Sequence, residues 1–560
     1  YYSVFFVWYV SFDLICILFF MSKKLLIFLL LLLTSCAEKV DLILYNAEVF
    51  TSNDSSQLAT SFAVKDGKFV YVGDDSVISN YSSSNIINAE GLPVYAGFID
   101  SHAHFYGLGF LNAQVDLKGT KTFDEIVDRV IEFDKKNNKD FIMGRGWDQN
   151  DWSVKSLPTN KLLNDAFPDK AVILGRIDGH AYLVNDYALN LAGITNSSKI
   201  DGGEFIKSNG ILTGVLIDNS MQLIDNIIPP PTKEESIKAL LSAQDMAFEN
   251  GLTTVSEAGI SRNQIELIDS LQKSGILKIK IYAMIENGPD VDYYISQGPY
   301  KTDRLNVRSV KVLADGALGS RGASMIDEYS DRKGYYGLMI TPADSIKSLA
   351  FKLAGTSFQL NTHAIGDNAN RVVLNAYRDA LFNYRDPRWR VEHAQVLSEG
   401  DIELFNQKII PSVQPTHATS DMYWLYDRIG KERAKHAYAF QDLLEQSSVI
   451  AFGTDFPVED INPMMTFYSA TVRKDKDGFP EDGFQTENIM NRVDALKAMT
   501  IFGAYANFEE NEKGSIEVGK DADFIILDND ILRSPEASIP NTNVVATFIN
   551  GELVFNRRYN

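Results

Sequence analysis

Short apolar runs alternate with amphipathic stretches through most of the chain. Eight runs stand out, at residues 97–102, 252–256, 279–285, 309–313, 358–363, 389–393, 409–414 and 449–455. Apolar strands separated by helical segments are the pattern of a parallel sheet buried on both faces. Eight such units predict an α/β fold, a (β/α)8 TIM barrel. Residues 234–250 illustrate the helical pieces, with Ile237, Leu240, Leu241 and Ala247 on one face and Gly251 as the stop.

Patches of short-strand character flank this region. One spans residues 40–77, with a turn at Asp66 and Gly67; the other runs from residue 514 to the end, with a hairpin at Asn550 and Gly551. Neither has enough strands to close a core, so the two are expected to pair. Residues 36–92 and 511–560 would form one composite β-sandwich beside a barrel domain of residues 93–510. The stretch 105–245 is too long for a single crossover helix. It predicts an inserted α/β subdomain above the barrel mouth, ending near the prolines at 229–231.

Composition narrows the function classes. A net charge of −21 and no basic run argue against nucleic acid as a partner. Two cysteines exclude a disulfide framework. Residues 21–35 read as a signal peptide, with Lys23 and Lys24 before nine apolar residues, too few to span a bilayer. The LTSC of residues 33–36 resembles a bacterial lipobox, which makes Cys36 the lipidated mature N-terminus. The expected location is the cell envelope, with membrane contact through that lipid alone. Residues 1–20 precede the first methionine and read as translated upstream sequence.

Histidine is scarce, only seven in the chain, so placement matters. His102 and His104 end the first run, His363 the fifth and His393 the sixth, while Asp455 ends the eighth and Lys311 lies in the fourth. The carboxyl ends of barrel strands form one face, so these residues are expected to converge. Residues i and i+2 of a strand share a face, which lets His102 and His104 hold one ion. Imidazole with carboxylate suits zinc. By the same parity Glu392, next to His393, is expected to face away from the metals.

These residues resemble the metal-dependent amidohydrolase superfamily, in particular amidohydrolase family 3, which includes N-substituted formamide deformylase-like enzymes. The segments that carry the resemblance are GFIDSHAH at 97–104, GRGWD at 144–148, DGH at 178–180 and KVLADGALGSR at 311–321. HAIGD at 363–367, RVEHAQ at 390–395, FGTDFP at 452–457 and GSIEVGKDAD at 514–523 complete the set. The resemblance implies two divalent metal ions, zinc by preference. His102, His104 and Asp455 would hold the inner ion and His363 with His393 the outer, with a carbamate on Lys311 bridging them. At the second strand Glu257 stands where an aspartate is expected, and it is assigned only to the lining of the mouth.

The expected reaction is hydrolysis of a non-peptide carbon–nitrogen bond, in a small N-acyl or N-formyl amide, by a metal-activated hydroxide. Asp455 would serve as general base and then acid. His180 is a further catalytic candidate, placed to polarise a carbonyl. Trp147, Asp148, Arg321 and His417 are candidates for substrate contact, Arg321 by gripping a carboxylate; Trp152 would share the wall over the site. Three alternatives stay open: an esterase or lactonase on the same site, a mononuclear deaminase with Lys311 as a free amine, and a lipid-anchored binding module with a vestigial site. The sequence also leaves a homodimer open.

Overall fold

The computed structural model describes residues 37–53 and 58–557. Residues 1–20, the expected signal peptide at 21–35 and Cys36 lie outside the described residues. No helix among the described residues is long and apolar enough to cross a membrane.

Eight parallel strands form the barrel. They are β1 (Phe98–Ala103), β2 (Leu252–Ile260), β3 (Lys280–Glu286), β4 (Leu305–Leu313), β5 (Gln359–Ala364), β6 (Trp389–His393), β7 (Ile409–Val413) and β8 (Ala451–Phe452), neighbouring one another in chain order. Each coincides with a run expected from the sequence. The ring closes just past β8, where the backbone N–H of Asp455 donates to the His102 carbonyl at 2.8 Å and the Thr454 hydroxyl donates to Asp100 at 2.7 Å. Gly453 permits this approach, since a Cβ there would lie 2.5 Å from the His102 nitrogen.

Crossover helices cover the barrel, among them Arg262–Lys273, Ala343–Ala354 and Asp367–Ala380. The helix Lys233–Glu249 begins directly after the proline run. Thr232 accepts from the Glu235 N–H while the Glu235 carboxylate takes the Thr232 N–H, a reciprocal cap that starts a new element. Its Leu240, Ala243, Ala247 and Phe248 are buried in the barrel core. The insertion therefore ends at the prolines, before this helix begins. Its six-stranded mixed sheet is built from residues 115–218, with the order Val115–Asp116, Phe141–Trp147, Ala171–Arg176, Ala181–Val184, Ile211–Asp218 and Gly203–Ser208.

The termini form the expected composite sandwich. One sheet takes four strands from residues 42–88; the other sets Phe524–Leu527 antiparallel to Pro93–Ala96, with Ile525 opposite Tyr95. Phe62, Phe524 and Phe548 fill the interior, with ring centroids 4.8 Å apart for Phe62 and Phe524 and 4.3 Å for Phe524 and Phe548. The predicted hairpin at Asn550 and Gly551 joins Val544–Ile549 to Glu552–Asn556. Buried Lys280, at the start of β3, donates to Asp521 at 2.8 Å and to Asp523 and Asn550 at 2.7 Å, which ties sandwich to barrel.

Candidate metal centre

The strand ends bring the predicted histidines together. The His102 and His104 rings are 5.8 Å apart, His102 and His393 4.8 Å, and His393 and His363 4.4 Å. Asp455 lies among them, its Oδ1 3.2 Å from His104 Nε2 and 3.7 Å from His102 Nε2. His102 is fully buried, whereas the His104 side chain keeps 39% of its exposure and marks the open side. Lys311 reaches in from β4, with Nζ 3.3 Å from His102 Nε2 and, among the described residues, no carboxylate paired to it. Asp315 does not pair with it; its oxygens accept the backbone N–H groups of Ser324, Ile365 and Gly366.

These donors fit divalent cations. His102, His104 and Asp455 form one set able to share an ion, and His393, His417 and Asp455 form another. Nε2 of His363, 3.5 Å from Asp315 Oδ1, and Nδ1 of His393 are buried without a hydrogen-bond partner among the described residues, a state that a bound cation would relieve. Burial, with neighbouring imidazole charge, holds both rings well below the ordinary histidine range, so they are neutral donors. Burial and Lys311 push His102 down to about 4. The second set departs from the expectation that reserved His417 for substrate. His417 Nε2 lies 3.5 Å from Asp455 Oδ2 and its Nδ1 meets Glu459 at 2.8 Å.

Glu392 does not face away. Its Oε2 sits 2.5 Å from His102 Nδ1, and its Oε1 sits 2.7 Å from Arg390 Nε, all three side chains being fully buried. Burial opposes its charge, but Arg390 and His102 outweigh that and hold the carboxyl well below its usual range. The parity argument fails because His393 and Ala394 have φ of 72° and 43°, so the strand has already turned where His393 points. A carboxylate on the outer nitrogen of a ligating imidazole fixes its tautomer and aims the other nitrogen at the ion. The signal was available: Arg390 and Glu392, two apart in a buried strand, had to face the same side.

The insertion adds His180 to this site. Its ring lies 5.1 Å from His363, and its Nδ1 is 2.8 Å from Asp218 Oδ1. Asp218 takes φ of 52° and ψ of −126° to reach it, a conformation costly for a side-chain-bearing residue. Burial resists a charge on His180, but the hydrogen bond to Asp218 prevails and raises its pKa. Asp178 also fixes the turn, accepting the His180 N–H at 3.1 Å while pairing with Arg176 at 2.6 Å.

Other expected contacts lie elsewhere. Trp147 is fully buried in the core of the insertion, its indole N–H donating to the Leu174 carbonyl at 2.8 Å, with Trp152 packed 6.2 Å away. Asp148 pairs with Arg176. Arg321 is paired with Asp331 through its Nε and Nη2, in two bonds of 3.0 and 2.9 Å. Glu257 is buried and takes the Tyr106 N–H at 3.2 Å, which braces the chain just after His104.

A parallel barrel with clustered imidazoles and carboxylate at the carboxyl ends of its strands defines a metal-dependent hydrolase. A sequence model described as the amidohydrolase family matches residues 85–555, and the chain belongs to that family. It is therefore a hydrolase acting on carbon–nitrogen bonds. It is 32% identical over 538 residues to the protein LONG AFTER FAR-RED 3 of Arabidopsis thaliana, covering 92% of this chain and 91% of the relative. N-substituted formamide deformylase of Arthrobacter pascens is 23% identical over 544 residues, covering 92% and 98%. Among solved structures, a metal-dependent hydrolase from Pyrococcus horikoshii OT3 aligns with a TM-score of 0.72 and 29% identity, over 88% of this chain and 99% of that one.

Proposed function

We propose that the protein hydrolyses the amide bond of a small N-formyl or N-acyl compound at a two-zinc centre. The observation that carries this is Asp455, set between His102 and His104 on one side and His393 and His417 on the other. Its two oxygens address two separate donor sets, an arrangement that suits a pair of ions better than one. The similarity to a formamide deformylase along almost the whole chain supports an amide substrate.

His102, His104 and Asp455 would hold one ion, and His363 and His393, with His417 in reach, the other. Lys311, a buried amine without a carboxylate partner among the described residues, is suited to carry the bridging carbamate. Bound divalent metal supplies Lewis acidity towards the carbonyl and draws the pKa of water towards neutrality. Asp455 accepts the proton lost by the attacking water and returns it to the departing nitrogen, so that one amide and one water give one acid and one amine. His180, with Nδ1 committed to Asp218, has Nε2 left to donate to the carbonyl oxygen.

Elemental mass spectrometry on purified protein, followed by a panel of N-formyl and N-acetyl amines beside esters and lactones, tests this reading. About two zinc ions per chain and selective release of formate or acetate from amides are expected. One ion per chain, or turnover confined to esters, would overturn it.

A further inference from the structure

Of the two charged residues in the GRGWD segment, Asp148 is paired with Arg176 and Arg145 has no ion-pair partner among the described residues. Arg145 lies on the insertion strand Phe141–Trp147. Its Nε is buried without a hydrogen-bond partner, and its guanidinium makes no ion pair among the described residues. Among the described residues its guanidinium makes a single long hydrogen bond, 3.4 Å from Nη2 to the Ile177 carbonyl. Leaving a guanidinium this poorly matched is costly unless something arrives to match it.

Its position says what that would be. A Cβ on Gly179 would lie 3.1 Å from Arg145 Nη2, so the guanidinium sits against the turn that carries His180. The His180 ring is 5.1 Å from the metal-site residue His363. Asp455 and Asp178 are the carboxylates whose charge Arg145 feels most, and both are engaged: Asp178 with Arg176, Asp455 among the metal-site histidines. Lys118, alongside, has its side chain packed over Gly146 and is a second cation beside Arg145, its charge offset by Glu459 and Asp460. With metal bound, the mouth of the site would carry more positive charge still.

We infer that Arg145 anchors a carboxylate on the substrate, so that the amides turned over are anionic, of the N-acyl amino acid type. A planar guanidinium meets a carboxylate through two parallel N–H···O bonds, which fixes orientation as well as charge. This rests on the amide-hydrolase reading above and narrows it. It also replaces Arg321, which Asp331 occupies, as the carboxylate-binding arginine.

The test uses a matched pair of formamides, N-formyl-phenylalanine in both enantiomers and N-formyl-2-phenylethylamine, which differ by the carboxylate. The zinc-loaded enzyme is expected to favour one enantiomer of the acid over the neutral amide by about 100-fold in kcat/KM. Arg145→Met should bring that ratio near one, mainly through KM, and Arg145→Lys should restore part of it. Amide turnover with no preference for the acid, or a preference that survives in Arg145→Met, overturns the inference and leaves the amide-hydrolase reading standing. Absence of turnover for every amide overturns that reading instead. The inference is then decided by calorimetry of 3-phenylpropanoate against 3-phenylpropanamide on the same loaded protein. Tighter binding of the acid that Arg145→Met abolishes supports it; a preference equal in both proteins places the carboxylate on the metal and overturns it, as does no preference at all.

Discussion

Nδ1 of His102 and Oε2 of Glu392 face each other at 2.5 Å inside the barrel, 290 residues apart in sequence. The pair lies beneath the metal-facing nitrogen of His102, and Arg390 completes it from the far side. Glu392→Gln keeps the shape but loses the anion. It is expected to weaken metal binding about 10- to 100-fold. Chelator competition followed by metal analysis reads this directly, and an unchanged affinity would remove Glu392 from the support of the site.

Asp218 relates to His180 as Glu392 does to His102, but on the insertion. Asp218→Asn should lower kcat by about 10- to 100-fold while metal content stays at the wild-type value. It should also flatten any pH dependence that His180 contributes. Loss of metal in this variant, or an unaltered kcat, would contradict the separation of roles.

Asp455 is asked both to hold metal and to move a proton. Asp455→Asn is expected to cut turnover by several hundred-fold or more with the fold intact, as judged by circular dichroism and thermal midpoint. Near-normal turnover would rule out its part in proton transfer.

Asp421 gives a pH signature independent of catalysis. It is buried and pushed up to about 7, burial outweighing its bonds and the nearby His417 charge, while the Tyr438 hydroxyl donates to it at 2.5 Å. Folding therefore favours its protonated form. Between about pH 4 and 7 the folded chain binds more protons than the unfolded one, so this group's contribution to stability falls as pH rises through that window. Thermal midpoints measured across it should decline less steeply in Asp421→Asn than in wild type.

The barrel was legible because strands buried on both faces must be apolar throughout, and runs of that kind are visible without any partner. The cluster of candidate metal ligands was legible because His102, His363, His393 and Asp455 close four of those runs. Pairings across the fold were not. Nothing near His180 points to Asp218, 38 residues on, because the contact is made by a mixed sheet whose strand order is not sequential. Trp147 was misread for a related reason: an aromatic in a strand shows that one face is covered, but not by what. Arg145 and Arg321 look alike in sequence, and only the position of Asp331 separates the occupied arginine from the open one.

The Tyr95 hydroxyl donates to Asp530 across 435 residues, within a sheet drawn from both ends of the chain. A ribosome must release nearly the whole polypeptide before that sheet has its full set of strands. Until then Val94, Tyr95 and Ala96 present an apolar ribbon with open backbone groups on one edge, a hazard for mispairing. A circular permutant opened at an exposed barrel loop, which would shorten the sequence separation between Pro93–Ala96 and Phe524–Leu527 several-fold, should fold faster than the natural order.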